Sequence, residues 1–152
     1  MKTNTINDII KSSETIVNGA INMKIKTIPI SSSLFTPDNS GPGIHIKDVS
    51  FLVGTSAQDN FDIIDISHPD DIWFHVKGES SCHVIAKMSD VGEKIDKKMR
   101  RLIIKQGALL CKMESKYKSV KNLEIIYTKV KNVKKTATVG SVIAEPVSVI
   151  SI

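Results

Sequence analysis

The stretch from Pro69 to Val84, P-D-D-I-W-F-H-V-K-G-E-S-S-C-H-V, limits what this chain can become more than any other. Alternate side chains of a strand share a face. Ile72, Phe74 and Val76 then form an apolar face that reads as core, and Asp71, Trp73 and His75 fall together on the other. An acid, an indole and an imidazole on one face suit a site better than a solvated surface. The polar run Lys77 to Ser81 can turn the chain back. Cys82 to Lys87 is therefore expected to return antiparallel as the second half of a hairpin, with His83 near His75.

A helical period supplies the second constraint. Ile95, Met99, Leu102, Ile103, Leu109, Leu110, Met113 and Tyr117 fall within one arc of about 120° at roughly 100° per residue. Lys97, Lys98, Arg101, Lys105, Lys112 and Lys116 occupy an adjacent arc, so the helix is expected to carry a basic stripe beside its core face. Gly107 interrupts this helix and implies close packing against another element. Cys111 lies outside both arcs and reads as a bystander.

The rest of the chain reads mostly as strands. Met23 to Ile30 is expected to be an edge strand ending at Pro29. Ser31 to Gly43 reads as a loop and as the most flexible stretch. Ile44 to Val53 reads as a strand pair or bent strand, Gly54 to Asn60 as a turn, and Phe61 to Ile66 (F-D-I-I-D-I) as a strand. Leu123 to Thr128 is a further strand and Lys129 to Lys135 a basic connector. Val139 to Ala144 and Val147 to Ile152 read as final strands around Glu145-Pro146. The sum is α+β: a mostly antiparallel sheet or partly open barrel with one long amphipathic helix packed on it. Residues 1–22 form a polar N-terminal segment, in which Ile6, Ile9 and Ile10 offer one helical turn, and 23–152 form a single domain.

Composition narrows the function. No apolar run approaches the roughly 18 residues of a membrane span, and no apolar h-region follows the first residues. Two Cys form neither a disulfide framework nor a CxxC pair, which points to a cytoplasmic setting with a nuclear one allowed. Between Lys94 and Lys135 the sequence has 14 Lys and Arg against three acids, a net of +11, whereas the rest has 7 against 13, a net of −6. Segregation of this kind is the electrostatic footprint of a polyanion-binding surface.

Each residue of the hairpin has a structural reading beside a functional one. Trp73 stacks on an unpaired base or is a core indole. His75 and His83 donate to phosphate or form a structural pair. Asp71 fixes the His75 tautomer or holds the hairpin. A metal site would draw on His75, His83, Cys82 and Asp71, but adjacent Cys82 and His83 face opposite ways in a strand, and paired ligand spacings are absent. Neither metal nor cofactor is expected.

Four segments then resemble one family, the NFACT-R domain, the RNA-binding module of the ribosome quality-control factors RqcH and NEMF. Gly54 to Asn60 is similar to its G-x-x-A-x-x-N turn, and Pro69 to Val84 to its P-x-D-[IL]-W-[FL]-H-V-x-G-x-x-S-x-H-V signature. Ala108 to Lys116 resembles its helix ending in a Ser-Lys pair. Leu123 to Lys135 resembles its V-x-[IV]-x-Y-T and K-x-[VL]-[KR]-K run, followed by Gly140. This chain departs from the family at Thr55, Ser56 and Cys82. The resemblance implies an α+β fold, nucleic-acid binding and a ribosome or tRNA setting. Nothing in it corresponds to the peptide-tailing domain of the multidomain factors.

The combined expectation is a non-catalytic domain in which the helix lysines, together with Lys129, Lys131, Lys134 and Lys135, hold RNA phosphates beside Trp73, His75 and His83. Structured RNA such as tRNA or rRNA comes first. DNA remains allowed, because backbone contact discriminates poorly. Two alternatives stay open: a nucleic-acid-processing enzyme using Asp71, His75 and His83, and a protein-interaction adaptor that meets an acidic partner or the ribosome surface.

Overall fold

The computed structural model describes residues 13–18, 21–33, 44–91 and 95–152. Nine strands appear: β1 (Ser13–Asn18), β2 (Ile21–Ser33), β3 (Ile44–Val53), β4 (Ile72–Val76), β5 (Val84–Ala86), β6 (Glu124–Lys129), β7 (Val133–Lys135), β8 (Val142–Ala144) and β9 (Ser148–Ser151). Two helices accompany them, α1 (Ala57–Asp65) and α2 (Lys97–Met113). Seven strands form one antiparallel sheet in the order β1-β2-β3-β5-β4-β6-β9, and β7 pairs with β8 as a separate hairpin. The fold is α+β and the sheet is open, as the sequence implies.

The β4–β5 hairpin forms at the expected place, with Ile72 opposite Ala86 and Phe74 opposite Val84. Both faces of β4 are covered, because two cores form, one on each side of the sheet. Ile72, Phe74, Val76, Val84 and Ile125 pack with Met99, Ile103, Ala108 and Leu110 of α2 on one side. Trp73, Leu52 and Ile85 pack with Ile63 of α1 and with Val130 and Val133 on the other, which Val142 and Ala144 of β8 close over. Burying the sheet on both faces makes four of the five β4 residues and all three of β5 core.

The sequence misses the second cover. Phe61 to Ile66 is helix, not strand, and Gly54 to Asn60 is only half a turn, since α1 starts at Ala57. The run F-D-I-I-D-I satisfies a period of two, but Asn60, Ile63 and Ile64 also satisfy i, i+3 and i+4. The preceding cap decides between the two: Ser56 Oγ accepts from Asp59 N at 3.1 Å, and the Asp59 carboxylate accepts back from Thr55 N at 3.2 Å. The strand expected at Met23 to Ile30 runs from Ile21 to Ser33 and lies between β1 and β3, so it is not an edge. The single helical turn at Ile6 to Ile10, and residues 34–43 of the loop, lie outside the described residues.

Helix α2 starts where Asp96 Oδ1 accepts from Met99 N at 2.7 Å. Its buried side holds Met99, Ile103, Ile104, Gly107, Ala108, Leu110 and Cys111. That arc is centred on Gly107 and is rotated by roughly 100° from the one the Leu and Met pattern suggests, at about 100° per residue. Gly107 sets the rotation. A Cβ there would lie 2.3 Å from Phe74 Cζ, so only glycine lets the helix settle onto the ring. As a result Cys111 is fully buried core rather than a bystander, and Met113, expected inside, is 42% exposed.

Candidate functional site

A cleft of about 790 Å³ opens on the Trp73 side of the sheet. The loop and first turn of α1 form one wall, the hairpin segment 80–83 another, and the β8 approach a third. The residues that carry the family resemblance in separate parts of the sequence meet there: Gly54, Ala57, Asn60, Trp73, His75, His83 and Gly140 all line it. Close contacts hold them together. A Cβ on Gly54 would overlap Asn60 Oδ1, and one on Gly140 would come within 2.8 Å of Ala57 Cβ. Gly140 also has φ +84, which favours glycine. Asn60 Oδ1 accepts from His83 N at 3.1 Å, which ties α1 to the return strand.

Three rings form the floor. Trp73 and His75 stack at 5.5 Å with 9° between planes, and His83 stands edge-on to both, 5.0 Å from His75. Trp73 Nε1–H donates to His83 Nδ1 at 3.1 Å. His83 Nδ1 is thus an acceptor, and the neutral ring carries its proton on Nε2. His75 shows the opposite arrangement. Its Nδ1 lies 2.6 Å from the Val76 carbonyl, which can only accept, so Nδ1 holds the proton and Nε2 keeps a lone pair. Burial holds both imidazoles neutral. His83 is pushed down to about 3, by desolvation first and by His75 second. His75 is lowered by desolvation, partly offset by its bond to Val76.

These shifts predict acid sensitivity. Unfolded His titrates near 6.5. Below that pH the unfolded chain takes up protons that the folded rings refuse, so stability falls as pH drops from about 6.5 toward about 3 for His83. The slope is up to about 1.4 kcal/mol per pH unit for each ring. Denaturant midpoints measured from about pH 7 to about pH 5 should fall, and fall less in His83→Gln, which has no such proton to take up. A level midpoint in the wild type would mean that the rings ionise inside the fold.

Several expected roles change. Trp73 is 1% exposed and covered by His75, so its face is not a free stacking platform for a base. His83 is neutral, and its Nδ1 is taken, so it offers phosphate no cation. Asp71 precedes β4 and turns away from both imidazoles. Its carboxylate accepts from His68 N and Met88 N, each at 2.8 Å, and its carbonyl accepts from Val130 N at 2.9 Å. Asp71 therefore holds the loops around the hairpin and does not set the His75 tautomer. The acid–base trio Asp71, His75 and His83 is not assembled.

The cations divide between the two sides of the sheet. On α2, Lys97, Lys98, Arg101 and Lys105 are exposed and, among the described residues, form no ion pair. Lys112 is spent inside the fold, donating to the Ile152 carbonyl at 2.9 Å, and exposed Lys116 lies over the Tyr117 ring. The connector lysines flank Val130 and Val133, which pack on the Trp73 side of the sheet. Lys129 and Lys131 share Asp70 at 3.6 and 3.8 Å, Lys135 pairs with Asp65, and Lys134 has no ion pair among the described residues. The expected single basic face is thus two faces with the sheet between them.

Sequence reasoning missed Ser81, Glu114 and Lys24 at the cleft. Ser81 Oγ accepts from Val76 N at 3.2 Å and closes the hairpin. Glu114, at the C-terminal end of α2, lies 2.5 Å from Lys26 and 3.6 Å from Lys24. Burial raises its carboxyl, but the two lysines outweigh burial and the net shift is downward. The spacing Gly54, Ala57, Asn60 was the available signal for the α1 wall, because i and i+3 share a helix face.

Comparison with known proteins agrees with this geometry. Coiled-coil domain-containing protein 25 from Mus musculus and from Bos taurus are each 33% identical over 88 residues, 58% of this chain and 42% of theirs. The Danio rerio protein of that name is 35% identical over the same share. The chain thus spans less than half the length of these curated relatives. The solved C-terminal part of the fibronectin/fibrinogen-binding protein from Streptococcus suis superimposes with a TM-score of 0.57 at 17% identity, covering 68% of this chain and 40% of that one, and shares the fold. Residues 44–146, which hold every described lining residue of the cleft except Lys24, both helices and the connector, match the NFACT protein RNA binding domain, and the chain belongs to that family.

Proposed function

We propose that this domain binds structured RNA, with tRNA or rRNA as first candidates, and carries out no chemistry on it. The observation that carries the reading is the exposed stripe Lys97, Lys98, Arg101 and Lys105, four cations without acidic partners among the described residues. Cations at helical spacing can track a phosphate backbone, and three of the four are lysines, which act as point charges rather than base readers. Lys134 and the Asp70-linked pair add a weaker positive rim beside the cleft. An RNA larger than the domain can reach both sides of the sheet, which favours a folded RNA over a short strand. The proposed setting is translation in the cytoplasm, at or near the ribosome. DNA is a weaker substitute, reached through the same phosphates.

A salt titration tests this. Four neutralised phosphates give a slope of about −4 for log K against log salt on a duplex-like RNA, using the yardstick of roughly 0.9 per contact. A line with no slope would remove the basis of the reading.

A further inference from the structure

The cleft differs in character from the lysine stripe. Among the described residues its only charged lining groups are Lys24 and Glu114, and Glu114 is shared between Lys24 at 3.6 Å and Lys26 at 2.5 Å. The positive end of α1 is already occupied by Asp59, which accepts from Thr55 N and from the Thr55 hydroxyl. Among the described residues, no cation in it is without an acidic partner. What remains is a neutral, half-apolar pocket, with Ile126, Val142 and Ala144 on its walls. Its volume falls within the roughly 300–1,000 Å³ of small-ligand sites.

Its polar groups form a matched pair. His75 and His83 each commit Nδ1 inside the protein, one as donor and one as acceptor. The nitrogens without a partner among the described residues are then a bare Nε2 on His75 and an Nε2–H on His83, on rings 5.0 Å apart, with His83 only 1% exposed and lining the cleft by its edge. An acceptor beside a donor is complementary to an uncharged heteroaromatic edge that presents a donor beside an acceptor. The amino or imino groups and ring nitrogens or carbonyls of nucleobases have that pattern.

We propose that the cleft takes one unpaired nucleobase, its edge held between His75 Nε2 and His83 Nε2–H. This rests on the RNA-binding reading for the source of the base but not for the recognition itself. Phosphates are held by the cations outside, and the base is read within. A free nucleotide would present the same edge.

The sole Trp of the chain lies under these rings, so its emission reports occupancy of the cleft. The test titrates wild-type protein with a short single-stranded oligoribonucleotide, with an abasic strand of equal length and charge, and with nucleoside monophosphates. Strand binding is followed by anisotropy and the cleft by Trp73 emission. The base-bearing strand should shift the emission. The abasic strand should keep its phosphate contacts but bind at least about tenfold more weakly than the base-bearing strand, and leave the emission unchanged. His75→Phe keeps a ring over Trp73 but lacks Nε2. It should weaken the base-bearing strand about five- to tenfold and leave the abasic strand unaffected. An emission shift with monophosphates at strand-like concentrations identifies a free nucleotide as a ligand, and a shift with the strand alone identifies the RNA. Either result supports the base site. Emission unmoved by all three probes, or moved equally by the abasic strand, overturns it while leaving phosphate binding intact. If neither strand binds but monophosphates shift Trp73, the RNA reading fails and the base site stands.

Discussion

Replacing Trp73 by alanine should cost about 3–5 kcal/mol of folding stability, the usual range for deleting a buried aromatic side chain. The indole is fully buried between Leu52, Ile63 and Ile85, and it carries His75 on its face. Its N–H also fixes the His83 tautomer. Truncation therefore opens a cavity and releases two rings together. Against a total stability of about 5–15 kcal/mol, such a loss is close to unfolding. Circular dichroism during denaturation measures it without needing the lost fluorophore. Protein that remains folded keeps the α2 stripe, so its salt slope for RNA should stay within about half a unit of wild type. A loss below about 1 kcal/mol would mean that the indole does not fill the space described.

Reversing Lys97, Lys98, Arg101 and Lys105 to glutamate should do the opposite. None of the four is buried, and none forms an ion pair with a described residue. Stability should therefore change little, since surface substitutions stay within about 0.5 kcal/mol each. RNA affinity should fall on the order of 100-fold at moderate salt, and the slope of log K against log salt should flatten by about 3 to 4. Reversing Lys131, Lys134 and Lys135 should cost less, because two of the three already face Asp70 or Asp65. If the connector set cost more than the helix set, the main phosphate track would lie on the cleft side.

The contrast between these two variants shows what the sequence could and could not convey. The hairpin was legible because β4 is a run of apolar and aromatic residues followed by the polar stretch Lys77 to Ser81, which turns the chain back. Most of the basic stripe was legible because cations on the solvent side of a helix remain exposed whatever covers the other side, Lys112 excepted. The burial of Trp73 was not. Its cover comes from α1, whose F-D-I-I-D-I run fits two periods, and from the β7–β8 hairpin, whose first strand reads as part of a charged connector. The rotation of α2 was hidden because its contact centre is Gly107, a residue with no hydrophobic weight in any pattern. The commitments of Asp71, Lys112, Lys129 and Lys135 were hidden for another reason. Each depends on a partner distant in sequence, such as Met88 for Asp71 or Ile152 for Lys112, and a linear reading treats each charge as free.

The opposite tautomers of His75 and His83 have a thermodynamic consequence. Each ring is locked by a bond made at its Nδ1, to Val76 and to Trp73 respectively. The proton inventory of the site is therefore complete before anything enters it. An uncharged guest arriving near neutral pH neither draws a proton from solvent nor releases one. The heat of its binding then belongs to the contact itself, with no contribution from the buffer.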